Sequence, residues 1–270
     1  MDSLQICIEA NEEQQEILIS ELSELGSDGF QQMDKYLIAY FNEYGFNSYE
    51  VNEKLKNLKF NITSLPEQNW NSVWESNFHP VVINDFCAIR AHFHDPIHTV
   101  EHEIIITPKM SFGTGHHATT HMMIQQMKDL DFRNKSVLDF GTGTGILAIL
   151  AEKLGASDIT AIDNDEWSII NARENCVTNH SKIIKIIFSS QIPDENFDII
   201  LTNINRNIIF KYLELLRKTI NKKGFILMSG LLTNDENEMV ETCLKMNLLQ
   251  VKRSERDNWI SLTFKPVYPC

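Results

Sequence analysis

The sequence of 270 residues has few cysteines and no long apolar run. Its five cysteines are scattered, odd in number and never spaced as C-x-x-C. This pattern argues against a disulfide framework or a structural zinc site and favours reduced thiols. No apolar stretch approaches the roughly 18–20 residues that a membrane-spanning helix needs. The first residues also lack the basic stretch and apolar core of a secretory signal, so we expect a cytoplasmic protein that does not bind membranes.

Positive charge is scarce as well. The chain has 24 Lys and Arg residues against 37 Asp and Glu residues, a formal net charge of −13 with histidine neutral. Binding to a phosphate backbone depends on clustered cations that release counterions, so we expect no direct nucleic-acid binding. An acidic chain attracts a basic partner instead, although the same acidity can serve solubility alone.

Residues 1–65 predict a small α+β domain. Its first helix places Ile17, Leu18, Leu22 and Leu25 on one apolar face. The order βαββαβ is typical of a ferredoxin-like arrangement. This region contains no catalytic cluster, so we expect it to serve recognition or packing. The predicted strands span 4–8, 30–33, 36–41 and 59–65, and the predicted helices span 12–25 and 48–58.

Residues 66–84 predict a linker helix. Trp70, Trp74 and Phe78 recur at helical spacing, and we expect this aromatic edge to pack on a neighbouring domain rather than contact a ligand. Two predicted strands, 86–93 and 103–107, then lead into a larger domain of residues 85–270.

From residue 118 onward, helices alternate with strands, which predicts a mostly parallel sheet covered on both faces. The last two strands are separated by a short turn around 255–258, so we expect a hairpin that leaves one antiparallel strand in the sheet. The predicted strands are 136–140, 158–163, 183–188, 197–202, 224–229, 248–253 and 259–264, and the predicted helices are 119–130, 146–154, 170–179, 208–220 and 235–246.

A glycine-rich turn, D-F-G-T-G-T-G at 139–145, joins a predicted strand to a helix. Glycine lets the backbone turn sharply and approach a ligand, which then faces the N-terminus of the helix. The G-x-G-x-G spacing alone is a weak signal. Asp163 strengthens it, because an acidic residue at the end of the next strand can accept hydrogen bonds from both ribose hydroxyls. We therefore predict a nucleoside site that includes Gly141, Gly143 and Asp163.

Two features favour S-adenosylmethionine over a nicotinamide dinucleotide in this site. The antiparallel final strand is typical of class I methyltransferases. Asn203 follows the fourth strand at the carboxyl edge of the sheet, where its amide can hold an amine N–H. The alternative for an asparagine here is a helix cap, which fits Asn205 or Asn207 better. A dehydrogenase is disfavoured by the glycine spacing and by the lack of an acid-base pair for hydride transfer.

A second glycine-rich stretch, M-S-F-G-T-G-H-H-A-T-T, occupies 110–120. With it, the sequence resembles the PrmA-type ribosomal protein methyltransferases, whose loop reads F-G-T-G-x-H-x-T-T. The resemblance is dense over 69–232, and the order of elements agrees along the whole chain. It also includes N-W-x-x-x-W-x-x-x-F-x-P at 69–80, D-F-G-T-G-T-G-I-L-A-I at 139–149, A-I-D-N-D at 161–165 and T-N-I at 202–204.

The resemblance implies the class I methyltransferase fold, Rossmann-like with a mostly parallel sheet, and a small N-terminal domain for substrate recognition. It implies S-adenosyl-L-methionine as the cofactor. The implied substrate is the basic stalk-base protein of the large ribosomal subunit (protein eleven), methylated on lysine side chains and its N-terminal amine while free or before assembly. The cofactor positions of the family fall on Thr120, Gly141, Asp163 and Asn203, with Gly143 in the same turn and with Phe112 and Thr114 walling the site from water.

Asn203 is the predicted catalytic residue, because a neutral acceptor can orient an amine without engaging its lone pair. Related amide and adenine methyltransferases carry N-P-P-Y at this place. Ile204 and Asn205 replace the proline pair here, which disfavours flat, base-like substrates and suits an aliphatic amine. Two alternatives stay open: methylation of another protein or a small-molecule amine, and a non-catalytic ribosome assembly factor that binds the cofactor.

Histidines form one group before the second glycine-rich stretch and another within and just after it. Neither group has a spacing usual for zinc, so we predict no metal site. His116 or His117 is expected to line the cofactor loop instead. The histidines are His92, His94, His98 and His102 in one group and His116, His117 and His121 in the other.

Overall fold

The computed structural model describes residues 3–42, 46–65, 78–107 and 115–268. The chain divides into two compact units, residues 1–77 and 78–270. The predicted domain boundaries at 65 and 85 fall on either side of this division. Across the described residues, every helix is too short or too polar to cross a membrane.

In its described residues, 3–42 and 46–65, the first unit is an antiparallel sheet of four strands with two helices, in the predicted order βαββαβ. The strand order across the sheet is β2-β3-β1-β4. The elements are β1 (Ser3–Glu9), α1 (Glu12–Glu24), β2 (Gly29–Met33), β3 (Tyr36–Asn42), α2 (Ser48–Leu55) and β4 (Phe60–Leu65).

Helix α1 packs on this sheet through Leu18 and Leu22, which are buried as predicted. Ile17 is 62% exposed, so the predicted apolar face is wrong at this position. The third buried position on this face is Gln15, whose side-chain amide donates hydrogen bonds to the carbonyl oxygens of Ala10 and Met33. A satisfied polar side chain can occupy such a position, and hydropathy alone does not reveal it.

The second unit carries the alternating helices and strands that the sequence predicts. Its elements are β5 (Val81–Ile83), β6 (Cys87–Ala91), β7 (His102–Ile106), α3 (Ala118–Met127), β8 (Ser136–Phe140), α4 (Ile146–Lys153), β9 (Asp158–Asp163), α5 (Glu166–Thr178), β10 (Ile184–Phe188), β11 (Phe197–Asn203), α6 (Arg206–Thr219), β12 (Ile220–Leu232), a 3-10 turn (Thr233–Asp235), α7 (Glu236–Lys245), β13 (Leu248–Arg256) and β14 (Trp259–Pro266).

Seven strands form the main sheet, in the order β10-β9-β8-β11-β12-β14-β13. Strands β8 to β12 pair in parallel, whereas β14 is antiparallel to both of its neighbours, β12 and β13. The prediction of one antiparallel strand is therefore confirmed. The chain order reverses between β8 and β11, and in open parallel sheets ligands settle at the carboxyl ends of the strands at such a reversal.

Strands β5, β6 and β7 form a separate three-stranded sheet that adds to one apolar core of this unit. That core also takes buried residues from α3, α4 and α5, while α6 and α7 pack on the opposite face of the main sheet. The main sheet is thus covered on both faces, as the parallel arrangement requires.

The prediction of a linker helix over 66–84 is wrong for those of its residues that the structure describes. Residues 66–77, with Trp70 and Trp74, lie outside the described residues. Residues 78–80 have no regular secondary structure, and Val81–Ile83 form a strand. Pro80 disfavours helical geometry at the preceding residue, and Val81–Ile83 pair with β6 instead of forming a helix. Phe78 nevertheless packs against the apolar core, as predicted for the aromatic edge.

Candidate functional site

A cavity of about 830 Å³ opens at the carboxyl ends of β8, β9 and β11. This is the reversal point of the sheet, where a ligand is expected. The cavity brings together five of the seven predicted site residues. They are Thr120, Gly141, Gly143, Asp163 and Asn203. The other two, Phe112 and Thr114, lie outside the described residues.

The turn after β8 is tied to the end of β9. The backbone N–H groups of Gly141 and Thr142 both donate to the carbonyl oxygen of Ile162, at 2.9 and 3.0 Å. Gly141 and Gly143 have φ angles of 79° and 55°, which glycine adopts without strain. Gly145 begins α4 without a side-chain cap, so backbone N–H groups rather than a side chain stand at this helix end. Helix N-termini of this kind favour polar, electron-rich ligand groups.

Asp163 ends β9 on the wall of the same cavity. One carboxylate oxygen accepts from the backbone N–H of Gly143 at 2.9 Å, and the other accepts from the N–H of Asp165 at 3.0 Å. These two bonds hold the half-buried carboxylate in one orientation. Each oxygen retains acceptor capacity, so the group can still bind a pair of hydroxyls.

Asp139 is a buried carboxylate directly beneath the turn. Its Oδ2 accepts from the Thr142 hydroxyl at 2.6 Å and from the Ala148 backbone N–H at 3.2 Å. Burial raises the pKa of Asp139 to about 7. The side chain thus joins the strand, the turn and the following helix, a contribution to the site that the sequence interpretation did not assign to it.

Asn203 ends β11 and lines the cavity. Its side-chain N–H donates to the Thr120 hydroxyl at 3.3 Å, which brings two predicted cofactor residues from distant parts of the chain into contact. Its Oδ1 is buried and has no hydrogen-bond partner among the described residues. A buried acceptor without a partner costs stability unless a ligand supplies the donor. Asn205, by contrast, caps α6 by accepting from the Asn207 N–H at 3.0 Å, which confirms the cap prediction.

Ile204, the residue that follows Asn203, packs against two glycines. A Cβ on Gly141 would lie 2.2 Å from the Ile204 side chain. A Cβ on Gly230 would lie 2.0 Å from the Ile204 carbonyl oxygen, and Gly230 has a φ of 88°. Only glycine fits at either position. The sequence interpretation missed Gly230. The available signal was the Ser229-Gly230 pair at the end of the predicted strand 224–229, since S-G pairs are typical of turns.

The rim of the cavity adds aromatic and charged side chains. His117 caps α3 by accepting from the Thr119 N–H at 3.3 Å, and its ring meets Trp259 edge-on at 4.9 Å between centroids. Arg206 pairs with Asp235 at 2.9 Å and also with Glu238. Within the described ranges, no cluster of three or more His, Cys, Asp or Glu side chains could hold a metal ion.

Comparisons with known proteins point to one family. The family described as "Ribosomal protein L11 methyltransferase (PrmA)" matches residues 2–266. A ribosomal protein L11 methyltransferase from Porphyromonas gingivalis is 38% identical over 265 residues, covering 94% of this chain and 91% of the relative. One from Phocaeicola vulgatus is 34% identical, covering 94% of each chain.

A solved structure agrees. The crystal structure of a ribosomal protein L11 methylase from Lactobacillus delbrueckii subsp. bulgaricus is similar with a TM-score of 0.66 at 26% sequence identity. The match covers 71% of this chain and 100% of that one.

Proposed function

The chain belongs to the ribosomal protein L11 methyltransferase (PrmA) family, and we propose that it transfers methyl groups from S-adenosylmethionine to ribosomal protein L11. Its fold is that of the class I methyltransferases. The proposed acceptors are lysine side chains and the N-terminal amine of L11, free or before its assembly into the subunit. The net charge of −13 supports a basic protein substrate, because opposite charge speeds encounter and suppresses wrong partners.

The residues at the reversal of the sheet fit this cofactor. Gly141 and Gly143 let the backbone approach it, and the Asp163 carboxylate has acceptors for both ribose hydroxyls. Thr120 and Asn203 would hold it from the other side. Bound S-adenosylmethionine supplies a sulfonium methyl group that is already activated for transfer.

The observation that carries the proposal is the unpartnered, buried Oδ1 of Asn203 on the cavity wall. Its neighbouring side-chain N–H is engaged by Thr120, so the amide presents its oxygen as an acceptor. This oxygen can take one N–H of an incoming amine and leave the nitrogen lone pair free for attack. Orientation of that kind contributes to rate by holding the reacting atoms in line.

The amine must be neutral to react. A free lysine has a pKa of about 10.4 and an α-amine of about 8, so most acceptor groups arrive protonated. Entry into a partly buried cavity disfavours the charged form and lowers the pKa of the amine. A neutral acceptor such as Asn203 serves the neutral amine, whereas a carboxylate in its place would stabilise the ammonium.

Ile204 supports an aliphatic rather than a flat substrate. It fills the space between Gly141 and Gly230 directly beside Asn203. The residue pair after Asn203 is Ile204-Asn205, and Asn205 is committed to the cap of α6. These positions therefore do not offer the aromatic platform on which a base would stack.

The test is mass spectrometry of purified L11 after incubation with the chain and isotopically labelled S-adenosylmethionine. We expect label on lysines and on the N-terminal amine of L11. Label on other proteins or small amines with none on L11 would contradict the proposed substrate. Binding to L11 and cofactor without any transfer would instead indicate an assembly factor.

The role of Asn203 has its own test. We expect Asn203→Ala to abolish turnover while retaining much of the cofactor affinity. Asn221→Ala is the matched control. Asn221 lies near the start of β12 and also donates a side-chain amide N–H, to the Asp198 carboxylate at 3.0 Å. Equal turnover in the two variants would contradict the role assigned to Asn203.

A further inference from the structure

Asn175 is a fully buried asparagine in α5 whose side chain joins two backbone segments of the second unit. Its Oδ1 accepts from the backbone N–H of Thr107 at 2.8 Å. Its Nδ2 donates to the carbonyl oxygen of Thr144, also at 2.8 Å. A backbone N–H can only donate and a carbonyl can only accept, so the two partners together fix which end of the amide faces which segment.

Both segments precede, in sequence, residues that line the cofactor cavity. Thr144 lies in the glycine turn, between Gly143 of the cavity wall and the start of α4. Thr107 follows β7 and precedes the stretch at 110–120 that carries the family's F-G-T-G-x-H-x-T-T pattern. The two partners are 31 and 68 residues from Asn175 in sequence. One amide therefore links the turn after β8 to the end of β7.

We propose that Asn175 is a positioning residue for the cofactor site, which it serves by fixing the glycine turn relative to the end of β7. The proposal rests on the proposed function, since it assigns a role in binding S-adenosylmethionine. Asn175 does not line the cavity, so its effect must act through Thr144 and Thr107.

The neighbours of Asn175 support a positioning role. Asn171 Oδ1 accepts the second N–H of the Asn175 amide at 3.0 Å, which holds that amide in place. Asn179 bonds β7 itself, two residues before Thr107, accepting from the Ile105 N–H at 2.9 Å and donating to the Ile105 carbonyl at 2.6 Å. Asn179 thus anchors β7 to α5, and Asn175 adds the connection to the turn.

This difference supplies a matched pair of variants. Asn175→Leu has a similar volume and removes the bonds to both Thr107 and Thr144. Asn179→Leu removes the two bonds to Ile105 of β7 and leaves the Asn175 side chain bonded to the turn. It also removes a bond to the Asn175 carbonyl oxygen, which still accepts from the backbone N–H of residue 179. Each variant leaves a backbone N–H and a backbone C=O without their side-chain partner, so both should lose stability, and only the first should disturb the cofactor turn.

The experiment is calorimetric titration of the full chain with S-adenosylmethionine, followed by steady-state kinetics with L11. We expect Asn175→Leu to raise the Kd and the KM for S-adenosylmethionine about tenfold while kcat changes by less than about threefold. We expect Asn179→Leu to stay within about twofold of the unsubstituted chain in Kd and KM. A purely structural defect would lower the active fraction, and hence kcat, without moving KM.

An Asn175→Leu variant that binds as tightly as the unsubstituted chain would overturn the positioning role alone. An equal loss of cofactor affinity in Asn179→Leu and Asn175→Leu would also overturn the positioning role. Failure of the unsubstituted chain to bind S-adenosylmethionine would overturn the proposed function itself.

A second measurement needs no variant and keeps the test independent of folding. S-adenosylmethionine should slow hydrogen exchange of the Thr107 backbone N–H, which is connected to the turn through Asn175. The Ile105 N–H, which is bonded to Asn179, should respond less. Equal responses at the two amides, or none at Thr107, would contradict the connection.

Discussion

Replacing Gly230 with alanine perturbs the backbone beside Asn203 without removing any side chain. Gly230 has a φ of 88°, and an added Cβ would lie 2.0 Å from the Ile204 carbonyl oxygen and 2.8 Å from its carbonyl carbon. Real Cβ atoms are essentially never found within 3.0 Å of such atoms, so the backbone must move. The contact is with backbone and not with a flexible side chain, which leaves Ile204 no rotamer that relieves it.

The required displacement is about 1 Å at the residue next to Asn203, and misplacement of about 1 Å can cost about 100-fold in rate. We therefore expect Gly230→Ala to lower kcat/KM for methyl transfer by roughly that factor. The left-handed backbone adds a separate cost of about 1–2 kcal/mol once a Cβ is present. That cost should lower the melting temperature by about 2–8 °C.

The assay is transfer of labelled methyl groups to L11, with thermal unfolding measured on the same preparations. Gly155→Ala is the matched control, since Gly155 has a φ of 96° and its added Cβ would meet only the Arg133 side chain and Cα, no closer than 3.3 Å. It should lose stability and keep kcat/KM. A folded Gly230→Ala variant within about threefold of full activity would refute the reasoning. So would an equal rate loss in Gly155→Ala, because the loss would then follow backbone strain and not Ile204.

Three further predictions concern residues that line the cavity or support the turn beside it. Asp163→Ala should raise the KM for S-adenosylmethionine at least about tenfold in steady-state kinetics. Asp158→Ala, on the same strand, should leave that KM unchanged. Equal KM values in the two variants would contradict the role of Asp163. Burial raises the pKa of Asp139 from 3.8 to about 7, so the folded protein binds the carboxyl proton more tightly than the unfolded chain does. The contribution of Asp139 to the free energy of unfolding therefore decreases as the pH rises from about 4 to 7. Urea unfolding should show a flatter pH profile for Asp139→Asn, and parallel profiles would count against a raised pKa. Gly141→Ala should lower methyl-transfer activity, because the added Cβ would lie 2.2 Å from the Ile204 side chain. The double variant Gly141→Ala, Ile204→Ala should recover part of that activity. No recovery would exclude the contact with Ile204 as the cause.

Local patterns in the sequence predicted the framework of the site. The strand at 136–140, the glycine turn and the following helix were predicted to within one residue, because β8, the turn and α4 depend on contiguous apolar residues and glycines. The antiparallel final strand also followed from a local feature, the short turn between β13 and β14. In each case the determining residues are neighbours in the chain.

Errors arose where a side-chain cap or a strand pairing, and not the hydropathy pattern, decides where an element begins. Helix α5 begins at Glu166 and not near 170, because the Asp165 side chain caps it by accepting from the Ser168 N–H. Strand β12 begins at Ile220, four residues before the predicted start, where it pairs with Phe197 across an irregular register. Polar residues at 221–223 conceal this extension from a hydropathy pattern.

The residues that the sequence interpretation missed are determined by contacts between segments that are distant in the sequence. Gly230 is constrained by a backbone carbonyl 26 residues earlier in the chain. Asn175 reads as an ordinary helical residue until the fold places Thr107 and Thr144 on either side of it. Sequence patterns indicate which residues can contact a ligand, whereas the residues that hold those in place are defined by tertiary contacts.

The most direct test of the account is a crystal structure of the chain with S-adenosylmethionine bound. We predict the ribose hydroxyls within hydrogen-bonding distance of the Asp163 carboxylate, the cofactor against the turn at 141–145, and the methyl group facing Asn203. A cofactor bound anywhere else on the chain, or a methyl group turned away from Asn203, would contradict it.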